Sequence, residues 1–125
     1  MMDRAETGRR GEQAAARYYI GQGCTLLARN YRIREGEIDL ILRDPAGVIV
    51  FCEVKTRTDR DALCRPAASV TMAKRRRIIR TARQYLQQTG QQEAFARFDV
   101  AEVNPLDSGR WMVHIIKGAF DASAR

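Results

Sequence analysis

The chain holds one histidine, one tryptophan, three prolines and three cysteines in 125 residues. A single imidazole, His114, leaves no second histidine for a histidine-based metal centre. It lies in Trp111-Met112-Val113-His114-Ile115-Ile116, a run with the composition of a strand. Cys24, Cys52 and Cys64 are odd in number and lack the close spacing of zinc ligands, which argues against both a disulfide framework and a zinc site. Cys52, inside an apolar run, is expected in the core. No apolar stretch approaches the roughly 20 residues of a membrane helix. The first residues, Met1-Met2-Asp3-Arg4-Ala5-Glu6, are too polar for a signal peptide, so a cytoplasmic protein without membrane contact is expected. Repeats and low-complexity segments are absent too, and the length suits one domain, residues 1–125.

Acids are the minority charge. Lys and Arg outnumber Asp and Glu by 22 to 15, a formal charge of +7. That excess implies a polyanionic partner, nucleic acid before membrane.

Asp3 followed by Glu6 resembles a capping box, and Arg4 to Gln22 reads as a helix that stops at Gly21 and Gly23. At about 100° per residue, Ala5, Gly8, Glu12, Ala16 and Tyr19 fall on one stripe, which sets Glu12 in the middle of a small, apolar face. Gly8 and Gly11 imply close packing of that helix, ahead of a close approach of its backbone to phosphate. Thr25 to Arg34 alternates as a first strand, and Gly36–Leu42 and Val48–Lys55 form the next two. A loop follows from Thr56 to Ala68, and a second helix from Val70 to Gln88 whose apolar stripe is Ile78, Ala82, Tyr85 and Leu86. Phe95–Val103 and Trp111–Ile116 are the last strands. The order αβββαββ predicts an α/β fold with a mixed five-stranded sheet flanked by helices. Its first three strands form an antiparallel meander, and the helical crossover permits parallel pairing of the third and fourth.

Acids lie inside two of the most apolar strands. Alternation puts Glu37, Asp39 and Ile41 on one face of the second strand, and Ile49, Phe51, Glu53 and Lys55 on one face of the third. A carboxylate among apolar groups is costly unless paired, hydrogen-bonded or bound to a metal. Hydrolysis of a phosphodiester needs an activated water and relief of charge on phosphate and leaving oxygen, all of which a hard divalent cation supplies. Mg2+ commonly takes one or two carboxylates plus water and phosphate, and Mn2+ is chemically admissible. Asp39 and Glu53 suit such an ion, Lys55 suits the attacking water, and Glu12 can join from the first helix. Glu37 fits a solvated or outer position better than a ligand. A same-face ion pair of Glu53 with Lys55 is the plain alternative.

Gly36-Glu37-Ile38-Asp39, with Glu53-Val54-Lys55 starting fourteen positions after Asp39, resembles the PD-(D/E)XK nuclease signature. Within that superfamily, several blocks resemble the YraN family of predicted endonucleases. They are Gly8-Arg9-Arg10-Gly11-Glu12, Ala28-Arg29-Asn30-Tyr31-Arg32, Phe51-Cys52-Glu53-Val54-Lys55-Thr56-Arg57, Lys74 and Arg97-Phe98-Asp99-Val100. The resemblance spans nearly the whole chain. It implies a restriction-endonuclease-like core close to that of archaeal Holliday junction resolvases, with Glu12, Asp39, Glu53 and Lys55 catalytic and the three acids holding Mg2+. One departure is Leu63-Cys64, where the family usually has Phe-Gly. The resemblance further implies DNA as substrate, branched or otherwise structured DNA included. Resolvase-like proteins that cut symmetric junctions are expected to be dimers, so a homodimer is an expected assembly. Arg57, Arg60, Lys74 and Arg77 are the candidate nucleic-acid contacts, although a basic run on a helix is often just a solvated face. The competing class is a non-catalytic nucleic-acid-binding module that retains the fold.

Overall fold

The computed structural model describes residues 3–57 and 70–122. It contains α1 (Arg4–Gly21), β1 (Thr25–Ile33), β2 (Gly36–Arg43), β3 (Ile49–Thr56), α2 (Met72–Gln88), β4 (Ala96–Pro105) and β5 (Trp111–Phe120). The order αβββαββ is the expected one. The strands form one sheet in the order β1-β2-β3-β4-β5, antiparallel throughout except for the parallel β3–β4 pair. Most of the expected loop from Thr56 to Ala68 lies outside the described residues.

Alternation along the strands builds two cores, one on each face of the sheet. On one face α1 packs Ala15, Ala16 and Tyr19 against Leu40, Leu42, Val50, Cys52, Ala101 and Val103. On the other, Ile78, Ile79, Ala82 and Tyr85 of α2 meet Ile41, Phe51, Phe98 and Val100. Each of the Val, Leu, Ile and Phe side chains among them contributes about 1.5–3 kcal/mol on full burial. Cys52 is fully buried, as expected. Close approach of α2 depends on Gly36 at the start of β2, where a Cβ would meet Thr81 Oγ1 at 2.6 Å and the Arg77 carbonyl at 3.2 Å.

The first helix is rotated from its expected setting. Its buried residues are Gly11, Ala15, Ala16 and Tyr19, so Glu12 lies at the margin of the packed face, half-buried, instead of at its centre. Only one of the two glycines is a packing glycine. A Cβ on Gly11 would meet Thr56 Oγ1 at 2.5 Å and Val103 Cγ2 at 2.9 Å, whereas one on Gly8 meets nothing within 4 Å. Asp3 caps α1 by accepting from the Glu6 N–H, but Glu6 turns to Arg10 instead of closing the box.

β5 runs four residues past its expected end at Ile116. Gly118, at a φ of 59°, supports a shift of register that lets Phe120 return beside Phe98, with ring centroids 5.0 Å apart. Read in sequence, Lys117-Gly118 looks like a strand end, and only pairing with β4 carries the strand on.

Candidate active site

The recorded β2–β3 ladder runs from Arg43↔Ile49 to Leu40↔Cys52. Asp39 and Glu53 are the next residues on the two strands. There the ladder gives way to a side-chain contact: the Val54 N–H donates to Asp39 Oδ2 at 2.8 Å. On the other side of β2, pairs Arg29↔Leu40 and Tyr31↔Ile38 flank Asn30, whose φ is 48°, in the left-handed region. Ile38 and Leu40 would share a face in a regular strand, yet Ile38 enters the α2 core and Leu40 the α1 core. The strand therefore turns over around Asp39, and the simple face assignment of Glu37, Asp39 and Ile41 does not hold. A backbone irregularity of this kind opens a sheet locally and re-aims side chains.

Four acids influence one another at that opening. Burial pushes the Asp39 carboxyl up to about 7, the neighbouring Glu53 adds to the rise, the Val54 hydrogen bond opposes it, and Glu12 and Glu37 add further. Glu12 is also raised, first by burial, with Asn30 offsetting and Glu37 reinforcing. Glu37 itself pairs with Arg32 at 3.0 Å, the outer position expected of it.

Two lysines face the acids. Lys74, in the first turn of α2, places Nζ 2.6 Å from Glu53 Oε1. Burial lowers the pKa of Lys55, and the nearby Lys74 ammonium lowers it further. The parallel register sets Lys55 beside Glu102. Asp39, Glu53, Lys55 and Lys74 are thus gathered at one end of β3, with Glu12 in electrostatic range. Among the described residues, no three His, Cys, Asp or Glu side chains stand close enough to share a metal ion. The expected cage of Glu12, Asp39 and Glu53 is not preformed. A hard cation that takes two carboxylates and fills its shell with water needs only Asp39 and Glu53.

The four candidate nucleic-acid contacts are placed differently from one another. Lys74 is engaged by Glu53. Arg57 is tied to β4: its backbone N–H donates to the Val103 carbonyl at 2.8 Å, and its guanidinium stands 3.4 Å from Glu102. Its Nε is buried without a hydrogen-bond partner. Arg77 is exposed on α2, and Arg60 lies outside the described residues. Tyr19 and Tyr85 are core residues, and Tyr31 packs edge-on against Tyr85.

Sequence reasoning missed one polar centre. Asp99, only 1% exposed, accepts from Tyr19 Oη at 2.8 Å, from the Gly118 N–H at 3.0 Å and from Arg97 Nε at 3.1 Å. Arg97 continues to Asp44 at 2.8 Å, whose other oxygen accepts the Ala46 and Val48 N–H groups of the β2–β3 turn. This network joins α1, β4, β5 and the turn at the end of β3 remote from Glu53. Its signal was an acid in an apolar strand, the same one that marked Asp39.

A family model described as "Uncharacterised protein family UPF0102" matches residues 11–103. A UPF0102 protein of Symbiobacterium thermophilum is 48% identical over 115 residues, covering 92% of this chain and 96% of the relative. One from Desulfosudis oleivorans is 44% identical over 120 residues, covering 96% and 94%. Among solved structures, Pyrococcus furiosus SfsA in complex with Ca2+ is matched at a TM-score of 0.42 and 15% identity, over 91% of this chain and 64% of that one. At that TM-score a common fold is not shown.

Proposed function

The chain belongs to the uncharacterised protein family UPF0102, and we propose that this member is an endonuclease hydrolysing DNA phosphodiester bonds with Mg2+ or Mn2+ held by Asp39 and Glu53. The substrate class includes branched or otherwise structured DNA. One observation carries the reading: Asp39 lies where the β2–β3 ladder ends, and burial with repulsion from the neighbouring Glu53 raises its carboxyl to about 7. Like charges drawn together in a half-buried cleft form an unfavourable arrangement that a divalent ion relieves. The donor set of carboxylate oxygens suits a hard cation.

In this reading each residue has a separate task. The bound ion supplies Lewis acidity toward the phosphate and a more acidic water. Asp39 and Glu53 bind it, with Asp39 held in orientation by the Val54 N–H. Lys55, its pKa lowered by burial and by Lys74, orients the attacking water. Glu12 acts through its field and through water. Exposed arginines of α2, Arg76, Arg77, Arg80 and Arg83 among them, supply phosphate contacts whose contribution falls as salt rises.

The competing reading, a binding module without catalysis, is favoured by one observation: no three metal-capable side chains are grouped among the described residues. It requires salt-dependent DNA binding with no effect of divalent ions beyond screening. Incubation of purified protein with plasmid, branched and single-stranded DNA in Mg2+ or Mn2+ separates the two. Cleavage by the native chain that is lost in Glu53→Gln and Lys55→Ala supports the nuclease, and binding without cleavage supports the module.

A further inference from the structure

Lys74 and Glu53 form an ion pair at the heart of the proposed cleft, 2.6 Å from Nζ to Oε1. The two partners are unequally held. Glu53 is a strand residue whose side chain is 10% exposed, while the Lys74 side chain is 38% exposed. The lysine is the more exposed partner of the two. Lys74 gains nothing from its own helix. It sits in the first turn, its N–H taken by the Thr71 cap at 3.1 Å, where the helix dipole disfavours positive charge. That turn contains no acid. Its favourable partner is across the cleft, on β3.

Resting on the reading of Asp39 and Glu53 as a cation site, we propose that Lys74 is an internal counter-cation that occupies the Glu53 ligand oxygen until a divalent ion displaces it. The Lys74 ammonium is paired with Glu53 and acts on Asp39 only through its field, whereas a divalent ion between the two carboxylates compensates both directly. The lysine therefore keeps the metal-free site folded and competes with the metal for one oxygen. Affinity for the ion is set by the difference between the two interactions, so removing the competitor tightens metal binding while weakening the metal-free protein. A coupling of this kind between two cations changes affinity by about 5- to 150-fold.

The test is titration calorimetry of Mn2+ into the full chain, for the native protein and for Lys74→Met, Lys74→Gln, Lys74→Arg and Glu53→Gln, with thermal melts of each with and without the ion. The expected result is tighter Mn2+ binding in the two neutral variants, a lower melting temperature without metal, and a larger metal-induced rise. Lys74→Arg, which keeps a competing charge, stays near the native affinity. Unchanged or weaker Mn2+ binding in folded Lys74→Met and Lys74→Gln overturns the proposal and leaves the cation site standing. If Glu53→Gln binds Mn2+ as the native chain does, the cation site fails, and the proposal with it. Neutral variants that fold only with Mn2+ present support the exchange. Variants unfolded under both conditions overturn it, because the lysine is then purely structural.

Discussion

The backbone N–H of Val54 donates to Asp39 Oδ2 at 2.8 Å, across the point where backbone pairing of β2 with β3 has stopped. One carboxylate oxygen thus substitutes for a strand carbonyl. The same carboxyl feels the charge of the neighbouring Glu53. Structure and proposed chemistry depend on the same side chain, and substitutions can separate them.

Asp39→Asn keeps an oxygen for Val54 and removes the charge. In the metal-free protein Asp39 titrates near 7, against an ordinary value of 3.8. Between those values the folded chain holds a proton that the unfolded chain has released, so stability declines as pH rises through that window. Without metal, melting temperature should fall from pH 5 to pH 8 in the native chain and fall less in Asp39→Asn. At pH 8 the variant should be more stable by about 1–2 kcal/mol. Melts in a chelator across that range check this; parallel curves for the two proteins would show that Asp39 is not strained.

Gly11 and Gly8 lie three residues apart on α1 and should respond oppositely to alanine. A Cβ at Gly11 collides with Thr56, adjacent to Lys55. Gly11→Ala should cost about 1–3 kcal/mol and weaken any activity. Gly8→Ala meets open space and should stabilise the helix by roughly 0.5–1 kcal/mol. Urea unfolding of both variants measures the contrast, and equal effects would contradict the packing described.

Asp99→Ala should be among the most damaging single substitutions. It strands Tyr19 Oη, the Gly118 N–H and Arg97 at a site with almost no water access. Removing one member of a buried charged network costs about 3–5 kcal/mol. Chemical denaturation should show that loss, with Asp99→Asn intermediate because it retains an acceptor.

Much of the architecture was legible because it rests on local pattern. Alternation in Leu40–Leu42 and Val48–Val54, the Asp44-Pro45-Ala46-Gly47 turn and the cap at Asp3 act over a few residues, and the element order followed from them. The acids Asp39 and Glu53 were legible for a related reason: charge inside an apolar strand needs a partner. What escaped the sequence was set by contacts distant along the chain. The turnover of β2 at Asp39 depends on Asn30 of β1, and the rotation of α1 on Thr56 and Val103 against Gly11. Likewise, Lys74 meets Glu53 only once α2 has crossed the sheet. Asp99 carried the same signal as Asp39 but found its partners in Tyr19, Gly118 and Arg97, and so became a structural centre.

The central claim is that Asp39 and Glu53 hold a divalent ion that drives phosphodiester cleavage with help from Lys55. Its most direct test is the initial rate of cleavage of end-labelled branched DNA in Mg2+ and in Mn2+, by the native chain and by Glu53→Gln shown by thermal melting to be folded. Cleavage should require the ion and fall by at least about 100-fold in Glu53→Gln. Equal rates for the two proteins, or cleavage that survives a chelator, would contradict that claim.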